Sequence, residues 1–453
     1  YKAKKSGDER YKRDIADTPK NISVLTKTQI EDSGVSDLRE ILDAQPGITL
    51  GTGENGNAFG DRYIIRGQEA RSDVFVDGLR DPGMTIRESF ATEQVEISKG
   101  PDSSFGGRGT TGGAVNSVTK QASTEYDFTK LSTGIGTDKH HRITLDANKV
   151  ISDSVAVRAN FLEAHEDVPD RAPADRNRLG AAFSLLVKPT SDLQVLTDYY
   201  YFNGKDTPDL GGFLVGDVAL GTRRPFENPP VYAQTADFLN SEVNTLTNRI
   251  KLQINDSTRL TNAIRYGTSD NEYLATGARL ATFGANSPNP GASTISLSTH
   301  QGYQEVEYFV NQTNLFVDKV LAGFKHEFNV GVEYSDHKVL NGVYDVTNAP
   351  NNCITNAGNT NNAFCIIDTN GNFIPNLNSA YRNSVAKGRW DQDWRIRTLS
   401  LSLMDTVELS DKWTAFGGVR YDNYDFTLTT QNAALAQQNY GLSDAITNYH
   451  AGV

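Results

Sequence analysis

The chain has 453 residues, a formal net charge of −12 and a mean hydropathy of −0.49. Its length exceeds what one ordinary hydrophobic core supports, so we expect two domains or one very large barrel. The acidic balance argues against nucleic acid as a partner, because no basic stripe is available to neutralise phosphates. No run of about 18 apolar residues occurs, which excludes helical membrane spans but not a β-barrel, where only alternate residues face lipid.

Residues 1–123 predict a small mixed α/β domain. Asn21–Thr26 alternates like a short strand, and Lys27–Ser33 is typical of a helix that ends at Gly34. Ser36 can cap a second helix, whose first turn carries Asp37, where the helix dipole favours a carboxylate. Short strands are expected further on at Tyr63–Ile65, Asp73–Val76, Gln94–Ser98 and Ala114–Thr119.

Residues 124–453 show a different pattern, the strict alternation of apolar and polar side chains. Ile143 and Leu145 share one face of an extended segment, while Arg142 and Thr144 share the other. The same alternation recurs in residues 155–161, 249–254 and 399–403. Each run is about ten residues, the length that crosses a bilayer when the strand is tilted. These runs predict a transmembrane antiparallel β-barrel.

The connections between these runs alternate between short and long. Short polar turns are expected at 152–153, 189–192, 256–257 and 410–411, and long irregular stretches at 204–244, 270–302, 338–389 and 427–443. An outer-membrane barrel has short periplasmic turns and long extracellular loops, whereas the two ends of a soluble sandwich are equivalent. The alternative is a soluble, Asn-rich β-protein such as a lectin array, in which long irregular loops would be unusual.

The candidate strands are fewer than a barrel that holds a plug requires. We count about 12 candidate strands, which could close alone but would leave too narrow a lumen for the first domain. Plugged outer-membrane transporters use about 22 strands. Asn448–Val453 looks like the opening of another strand, so we expect further barrel strands in the full protein. The start at Tyr1 shows no secretory leader, which was either removed or never present.

The two cysteines, Cys353 and Cys365, lie close together in an Asn-rich stretch. Their spacing favours a local disulfide in an oxidising compartment, which would contribute roughly 3 kcal/mol through loop closure. Two buried thiols are the alternative, and the polar surroundings disfavour it.

Six blocks in the first domain carry a resemblance to a known family. They occur in the order and spacing of the plugs of TonB-dependent ferric-siderophore receptors: 18–24 (TPKNISV), 42–48 (LDAQPGI), 65–67 (IRG), 74–78 (VFVDG), 95–101 (VEISKGP) and 106–120 (GGRGTTGGAVNSVTK). FVDGLRD, TEQVEISKGP and VTKQA most resemble Fiu/PiuA-type catecholate receptors. The second domain resembles the family more weakly, through TDKHHRITLD and VRANF.

This resemblance implies a fold, a function and a set of partners. The fold is a transmembrane antiparallel β-barrel occluded by an N-terminal α/β plug. The function is uptake of a ferric siderophore across the outer membrane, energised by the TonB–ExbB–ExbD complex. The siderophore is the transported ligand, and no cofactor is expected. A monomer surrounded by outer-membrane lipid is implied, with phage or bacteriocin docking as a further role. Another cargo (haem, cobalamin or an oligosaccharide) and a passive porin-like channel stay open as alternatives.

Two plug arginines, Arg66 and Arg108, resemble those that pair with barrel glutamates in the family. A bidentate arginine–carboxylate bond could latch the plug to the wall and still be broken. The alternative is that each side chain simply lines a wet lumen.

Two plug loops, residues 51–62 and 77–87, resemble the apical loops that face the external vestibule. A ferric tris-catecholate is anionic, rigid and aromatic, and therefore favours arginine and flat rings. Phe59, Arg62, Arg80 and Arg87 are the resulting ligand-binding candidates, with solvated loop residues as the alternative. The aromatic run 199–202 precedes a long stretch and suits a membrane-interface girdle or ligand stacking.

Other site types are not supported by the sequence. His140 and His141 have no neighbouring ligands that would complete a metal shell, and no nucleophile elbow or carboxylate pair indicates an enzyme. Tyr1–Arg13 is polar and charged and lacks the TonB-box pattern, so we expect a flexible connector there.

Overall fold

The computed structural model describes residues 3–18, 20–50, 63–70, 73–212, 214–215, 221–222, 224–225, 230–282, 293–349, 352 and 363–453. Within these ranges, the helices are too short or too polar to cross a membrane.

The N-terminal part is a small domain with a mixed sheet and three short helices. The helices are α1 (Lys27–Ser33), α2 (Leu38–Asp43) and α3 (Ser103–Gly106), preceded by a 3-10 turn at Ile15–Asp17. The strands are β1 (Ile22–Thr26), β2 (Ile48–Leu50), β3 (Tyr63–Ile65), β4 (Gln68–Glu69), β5 (Val74–Val76), β6 (Leu79–Arg80), β7 (Thr92–Lys99) and β8 (Gly113–Thr119). One sheet has the order β1-β7-β8-β5-β6, and the other is β2-β3-β4. Buried apolar side chains between sheet and helices, such as Leu42, Ile97 and Val115, form its core.

The starts and stops of the first two helices follow from capping. The Thr26 hydroxyl accepts a hydrogen bond from the Gln29 amide at 3.4 Å, and the Gln29 side chain accepts one from the Thr26 amide at 3.0 Å. Gly34 ends α1 with a φ of 72°, as predicted. The predicted cap at Ser36 is wrong, because the N-cap of α2 is Asp37, which accepts from the Arg39 amide at 2.8 Å. A carboxylate both accepts this bond and complements the helix dipole.

The rest of the described chain is dominated by one antiparallel sheet whose strands pair in chain order. These strands are β9 (Phe128–Ile135), β10 (His141–Ser152), β11 (Val155–Asp167), β12 (Asp175–Thr190), β13 (Leu193–Thr207), β16 (Phe238–Asn255), β17 (Thr258–Thr282), β18 (Ser293–Leu321), β19 (Phe324–Asn348), β21 (Arg382–Ser410), β22 (Trp413–Gln431) and β23 (Gln437–Gly452). Three short strands lie in the connections: β14 (Leu214–Val215), β15 (Arg224–Pro225) and β20 (Ala363–Ile367), of which β20 pairs with β18. A second 3-10 turn covers Leu377–Ser379.

Several strands are far longer than the alternating runs that predict them. β18 and β21 have 29 residues each, and β17 and β19 have 25 each. About ten residues cross a bilayer, so these strands continue well beyond it. The stretches 270–302 and 338–389, predicted to be irregular, are therefore strand over much of their length. Outside the bilayer both faces of a strand meet water, which removes the alternation although the hydrogen-bonded ladder continues.

Side-chain burial in this sheet is the inverse of that in a soluble protein. Leu399, Leu401 and Leu403 are 49%, 51% and 47% exposed on the outer face, whereas Thr398 and Ser400 are only 5% and 2% exposed. Ile143 is likewise exposed, whereas Asp146 and Asn148 of its strand are buried. Apolar side chains in a continuous outer band are stable only where hydrocarbon surrounds them. The inward face is lined by polar groups and covered by the N-terminal domain, which is hereafter called the plug.

The aromatic run 199–202 divides between these faces. Tyr199 is exposed on the outside, as a membrane-interface girdle requires. Phe202 is instead buried against Ile86 and Phe90 of the plug, with Tyr200 packed beside them. The inward-facing side chains of the run, Tyr200 and Phe202, therefore pack against the plug and help to hold it in place.

Residues 3–13, predicted to be a flexible connector, are bound to the barrel. Arg13 pairs with Glu408 at 2.8 Å, and Lys12 pairs with Asp318. Both carboxylates lie near the short-turn ends of their strands. In the sequence, the charged side chains of this segment suggest that it is solvated. In the structure, they form ion pairs with opposite charges on the barrel rim.

Candidate functional site

A cavity of about 1040 Å³ lies at the end of the barrel opposite the short turns. Arg80 and Arg108 of the plug contribute to its floor. The wall on β17, β18, β21 and β22 contributes five aromatic rings, those of Tyr273, Tyr303, Trp394, Tyr424 and Phe426. We call this cavity the vestibule. Its combination of cations below and rings around suits an anionic aromatic ligand.

Arg80 is held in place by its own hairpin and by the neighbouring turn. Asp77 and Gly78, both with positive φ (51° and 77°), form the two-residue connection between β5 and β6. The Arg80 guanidinium pairs with Asp73 at 3.1 Å and donates to the Arg108 carbonyl at 2.8 Å. Its rotamer is therefore fixed before any ligand arrives, which limits the entropy lost on binding.

Arg108 connects the vestibule floor to the barrel wall. Its guanidinium lies 4.7 Å from the centre of the Tyr424 ring and donates to the Thr398 hydroxyl at 3.1 Å. Burial and then the nearby charge of Arg80 lower the pKa of Arg108, while Asp422 raises it. Two neighbouring arginines repel each other, so an anion placed between them gains from both charges.

The other ligand candidates have different outcomes. Arg87 is buried, and its guanidinium binds Asp81 at 2.9 and 3.1 Å and the Gly83 carbonyl at 2.6 Å. It braces the loop between β6 and β7, and its predicted ligand contact stays a prediction. Phe59 and Arg62 lie outside the described residues.

The aromatic wall was missed because its members fall in or beside stretches interpreted as loops. A signal exists in sequence: Tyr424 and Phe426 are two residues apart, as are Trp394 and Ile396, so each pair lies on one strand face.

Two of the junctions between plug and wall consist of a plug carboxylate and barrel arginines, which is the opposite polarity to the predicted latch. Asp77 of the plug lies between two barrel arginines, Arg249 and Arg265, the latter at 3.5 Å. The Thr119 amide and hydroxyl also donate to Asp77, each at 2.8 Å. This plug carboxylate therefore has its charge compensated although it is buried.

Glu88 forms a second junction of the same kind. Arg142 on β10 contacts it through two hydrogen bonds of 2.9 and 3.2 Å, and Arg178 on β12 lies 4.0 Å away. Arg66, by contrast, is exposed on a turn, and the described part of the barrel offers it no ion pair. Within the described part of the barrel, Arg108 reaches Thr398 and Tyr424, and its predicted pairing with a barrel glutamate stays a prediction.

Two further predictions concern the outer strands. Cys365 is disulfide-bonded and buried in β20 beside Phe364, whereas Cys353 lies outside the described residues. His140 and His141 contact Glu166 at 3.2 Å and Glu163 at 3.1 Å. Across the described ranges, the structure contains no group of three or more His, Cys, Asp or Glu side chains that could hold a metal.

An inside-out sheet with a domain in its lumen and a cationic, aromatic vestibule defines the class of plugged outer-membrane β-barrel receptors. Residues 14–114 match the family described as TonB-dependent Receptor Plug Domain. Residues 182–453 match the family described as TonB dependent receptor-like, beta-barrel, which is more than half of the chain. The chain therefore belongs to the TonB-dependent receptors, which are proteins of the Gram-negative outer membrane and not enzymes.

Two named receptors are similar to this chain over most of its length. The probable TonB-dependent siderophore receptor PiuA of Acinetobacter baumannii is 33% identical, over 100% of this chain and 61% of PiuA. The catecholate siderophore receptor Fiu of Escherichia coli K12 is 28% identical, over 94% of this chain and 55% of Fiu. The crystal structure of PiuA superposes with a TM-score of 0.84 at 29% identity, covering 99% of this chain and 64% of that one. The chain thus spans less than two thirds of the length of these proteins.

Proposed function

We propose that this chain is the plug and the first barrel strands of a receptor that takes up a ferric siderophore, preferably a catecholate. The vestibule carries this proposal, because Arg80 and Arg108 supply positive charge beneath five aromatic rings. The names of the relatives PiuA and Fiu point to the same class of cargo. Energy would come from the TonB–ExbB–ExbD complex, as the family name implies.

The chemistry of the cargo explains why this combination is suitable. A ferric tris-catecholate holds its iron within the ligand, so the receptor needs no metal-binding side chains. Its net negative charge favours arginines, and its flat rings can stack on tyrosine, tryptophan and phenylalanine. An uncharged cargo would gain from the rings alone, and a porin substrate would need neither contact.

Ligand binding to the full-length receptor tests this proposal. Ferric tris-catecholate, ferric tris-hydroxamate, haem, cobalamin and a maltooligosaccharide would each be titrated while tryptophan fluorescence is followed. We expect the ferric catecholate to bind most tightly and to quench Trp394, so that W394F removes most of the change. Double replacement R80Q/R108Q should weaken binding by roughly tenfold or more, since hydrogen bonds to charged groups contribute about 1.5–3 kcal/mol.

The matched control is Arg397→Gln, which removes an exposed arginine of β21 that pairs with Asp336 instead of facing the vestibule. Tighter binding of haem, cobalamin or the oligosaccharide would contradict the cargo class. Uptake that persists after the proton-motive force is collapsed would contradict active transport and favour a passive channel.

A further inference from the structure

One inward side chain of the vestibule wall is polar although its neighbours are largely apolar. His337 lies on β19 and lines the vestibule, with only 5% of the residue exposed. In the strand register it stands between Tyr308 of β18 and Ile396 of β21. Val339, two residues further along the same face, packs with Leu79 of the plug. His337 is thus at the point where the apolar contact between plug and wall meets the vestibule.

The imidazole ring is held by an aromatic neighbour and not by hydrogen bonds. The ring of Tyr308 meets it edge to face, with 6.0 Å between centroids and 89° between planes. Tyr308 is itself fixed, because it is buried and its hydroxyl donates to Asp81 of the plug at 3.5 Å. The Nε2 atom of His337 is also buried, and it has no hydrogen-bond partner among the described residues.

This unpartnered nitrogen is unfavourable in the unliganded receptor. Burying a polar group without a hydrogen bond destabilises a protein, and buried polar groups are therefore nearly always paired. A phenylalanine ring could make the same edge-to-face contact with Tyr308 without this cost. Packing alone therefore does not explain a histidine at position 337, whereas a ligand that supplies the missing partner does.

The chemistry of the ring suits a bound anion. Arg80 and Arg108 line the same cavity, so a third buried cation is disfavoured and the ring is neutral, with one N–H donor. The torsion about the Cβ–Cγ bond of histidine is broad and two-fold, so the ring can turn at little cost and bring a nitrogen to the cavity. Such a donor adds a directed hydrogen bond to the charge that the two guanidinium groups supply.

We propose that His337 is a specificity-determining residue of the vestibule, whose ring N–H donates to an oxygen of the anionic cargo. In a ferric tris-catecholate this acceptor is an iron-bound oxygen, where negative charge is concentrated. Cargo that places a hydrocarbon group against the ring binds less tightly, because a site built to form a hydrogen bond rejects ligands that cannot form it. This inference rests on the proposed function, since it requires the cargo to bind in the vestibule.

Three measurements on the full-length receptor and its His337→Phe variant test the proposal. Phenylalanine keeps the contact with Tyr308 and removes both nitrogens. We expect the affinity for ferric tris-catecholate to fall about tenfold, the effect of losing a hydrogen bond to a charged group. The charge-transfer band of the bound complex should move to longer wavelength, because a hydrogen bond stabilises the electrons of an iron-bound oxygen. The melting temperature of the unliganded variant should equal or exceed that of the parent, since no nitrogen is left unpartnered.

Two further variants separate the hydrogen bond from the ring and from the loss of any histidine. His337→Gln places an amide donor at a similar position and should restore most of the affinity and the shorter wavelength. The matched control is His141→Phe, the same substitution at an exposed histidine of β10 that pairs with Glu163 at 3.1 Å. It should change neither the affinity nor the band.

The contrary results are distinguishable from one another. If the parent binds ferric tris-catecholate and His337→Phe binds it equally well with an unshifted band, the inference is overturned while the proposed function stands. A His337→Phe receptor that loses affinity, melts at a lower temperature and is not rescued by glutamine would show that His337 only packs, which also overturns the inference. If ferric tris-catecholate fails to quench the fluorescence of the parent, the proposed function fails and the inference fails with it.

Discussion

The plug meets the barrel wall in two ways, dry on one side and wet on the other. On the dry side, Leu79 packs among Val306, Tyr308 and Val339, and Ile86 belongs to the same buried cluster as Phe202. On the wet side, α1 and α2 face β9 to β12 across a cavity of about 500 Å³. Buried apolar contacts fix a position, whereas charges that face water can part and pair again at little cost.

The wet side is bridged by partly solvated ion pairs, in addition to the more buried pairs of Glu88 with Arg142 and of Lys27 with Asp146. Glu40 pairs with Arg176 at 3.1 Å, and Glu31 pairs with Lys130 at 2.9 Å, with all four side chains more than 40% exposed. Such pairs contribute about 0–1 kcal/mol each. The comparison shows that the plug makes apolar contacts with one part of the wall and mainly polar contacts with another.

The largest effect is expected where the dry side carries a charge. Asp77→Ala would leave the buried Arg265 without a carboxylate, would leave Arg249 with Asp198 alone, and would remove the acceptor for Thr119. We expect plug stability to fall by about 3–5 kcal/mol. Denaturant unfolding of the plug, followed by hydrogen exchange of β8 amides, measures this. A loss of plug stability below about 1 kcal/mol, which is the value for an exposed ion pair, would contradict the distinction between the dry and the wet side.

A somewhat smaller effect is expected from an apolar contact. Phe202→Ala removes a fully buried ring from the plug interface and should cost about 3–4 kcal/mol of plug stability. The control is Phe161→Ala, which truncates a ring on the lipid-facing surface of the same barrel. Equal plug destabilisation by both variants would show that the barrel as a whole, and not the contact, is affected.

The smallest effect is expected on the wet side. Glu40→Gln removes the charge of one member of a solvated ion pair and should change plug stability by less than about 1 kcal/mol. The same hydrogen-exchange experiment applies, with salt titration as a second reading. A change comparable with that of Asp77→Ala would mean that the wet gap holds the plug as firmly as the dry wall does.

The sequence predicts the parts of this molecule in which a local pattern reports a local environment. Alternation within the bilayer identifies the outward Leu399 and Leu401, and the sequence around α1 predicts its helix and its end at Gly34. The pattern becomes weaker where strands leave the bilayer, which is why the outer portions of β18 and β21 were assigned to loops. The plug strands predicted near 63–65, 73–76, 94–98 and 114–119 are present, although some plug strands pair with distant ones, as β1 does with β7.

Contacts between distant residues were not predictable from a single chain. Asp77 and Arg249 are 172 positions apart, and Arg10 meets Phe105 across 95. Charge alone marks Asp77, Arg249 and Arg10 as candidates for a solvated surface. The residues that line the vestibule were predicted only in part. Arg80 was a candidate because its loop resembles an apical plug loop of the family. The rings of Tyr303 and Trp394 could be placed only once the strand register was known.

The position of iron in the liganded receptor tests the central claim most directly. Crystals of the full-length protein with ferric tris-catecholate would be measured at the iron absorption edge. We expect one anomalous peak in the vestibule, above Arg80 and Arg108 and beside the ring of Tyr424. A peak elsewhere, for example at His140 and His141, with an empty vestibule would contradict it.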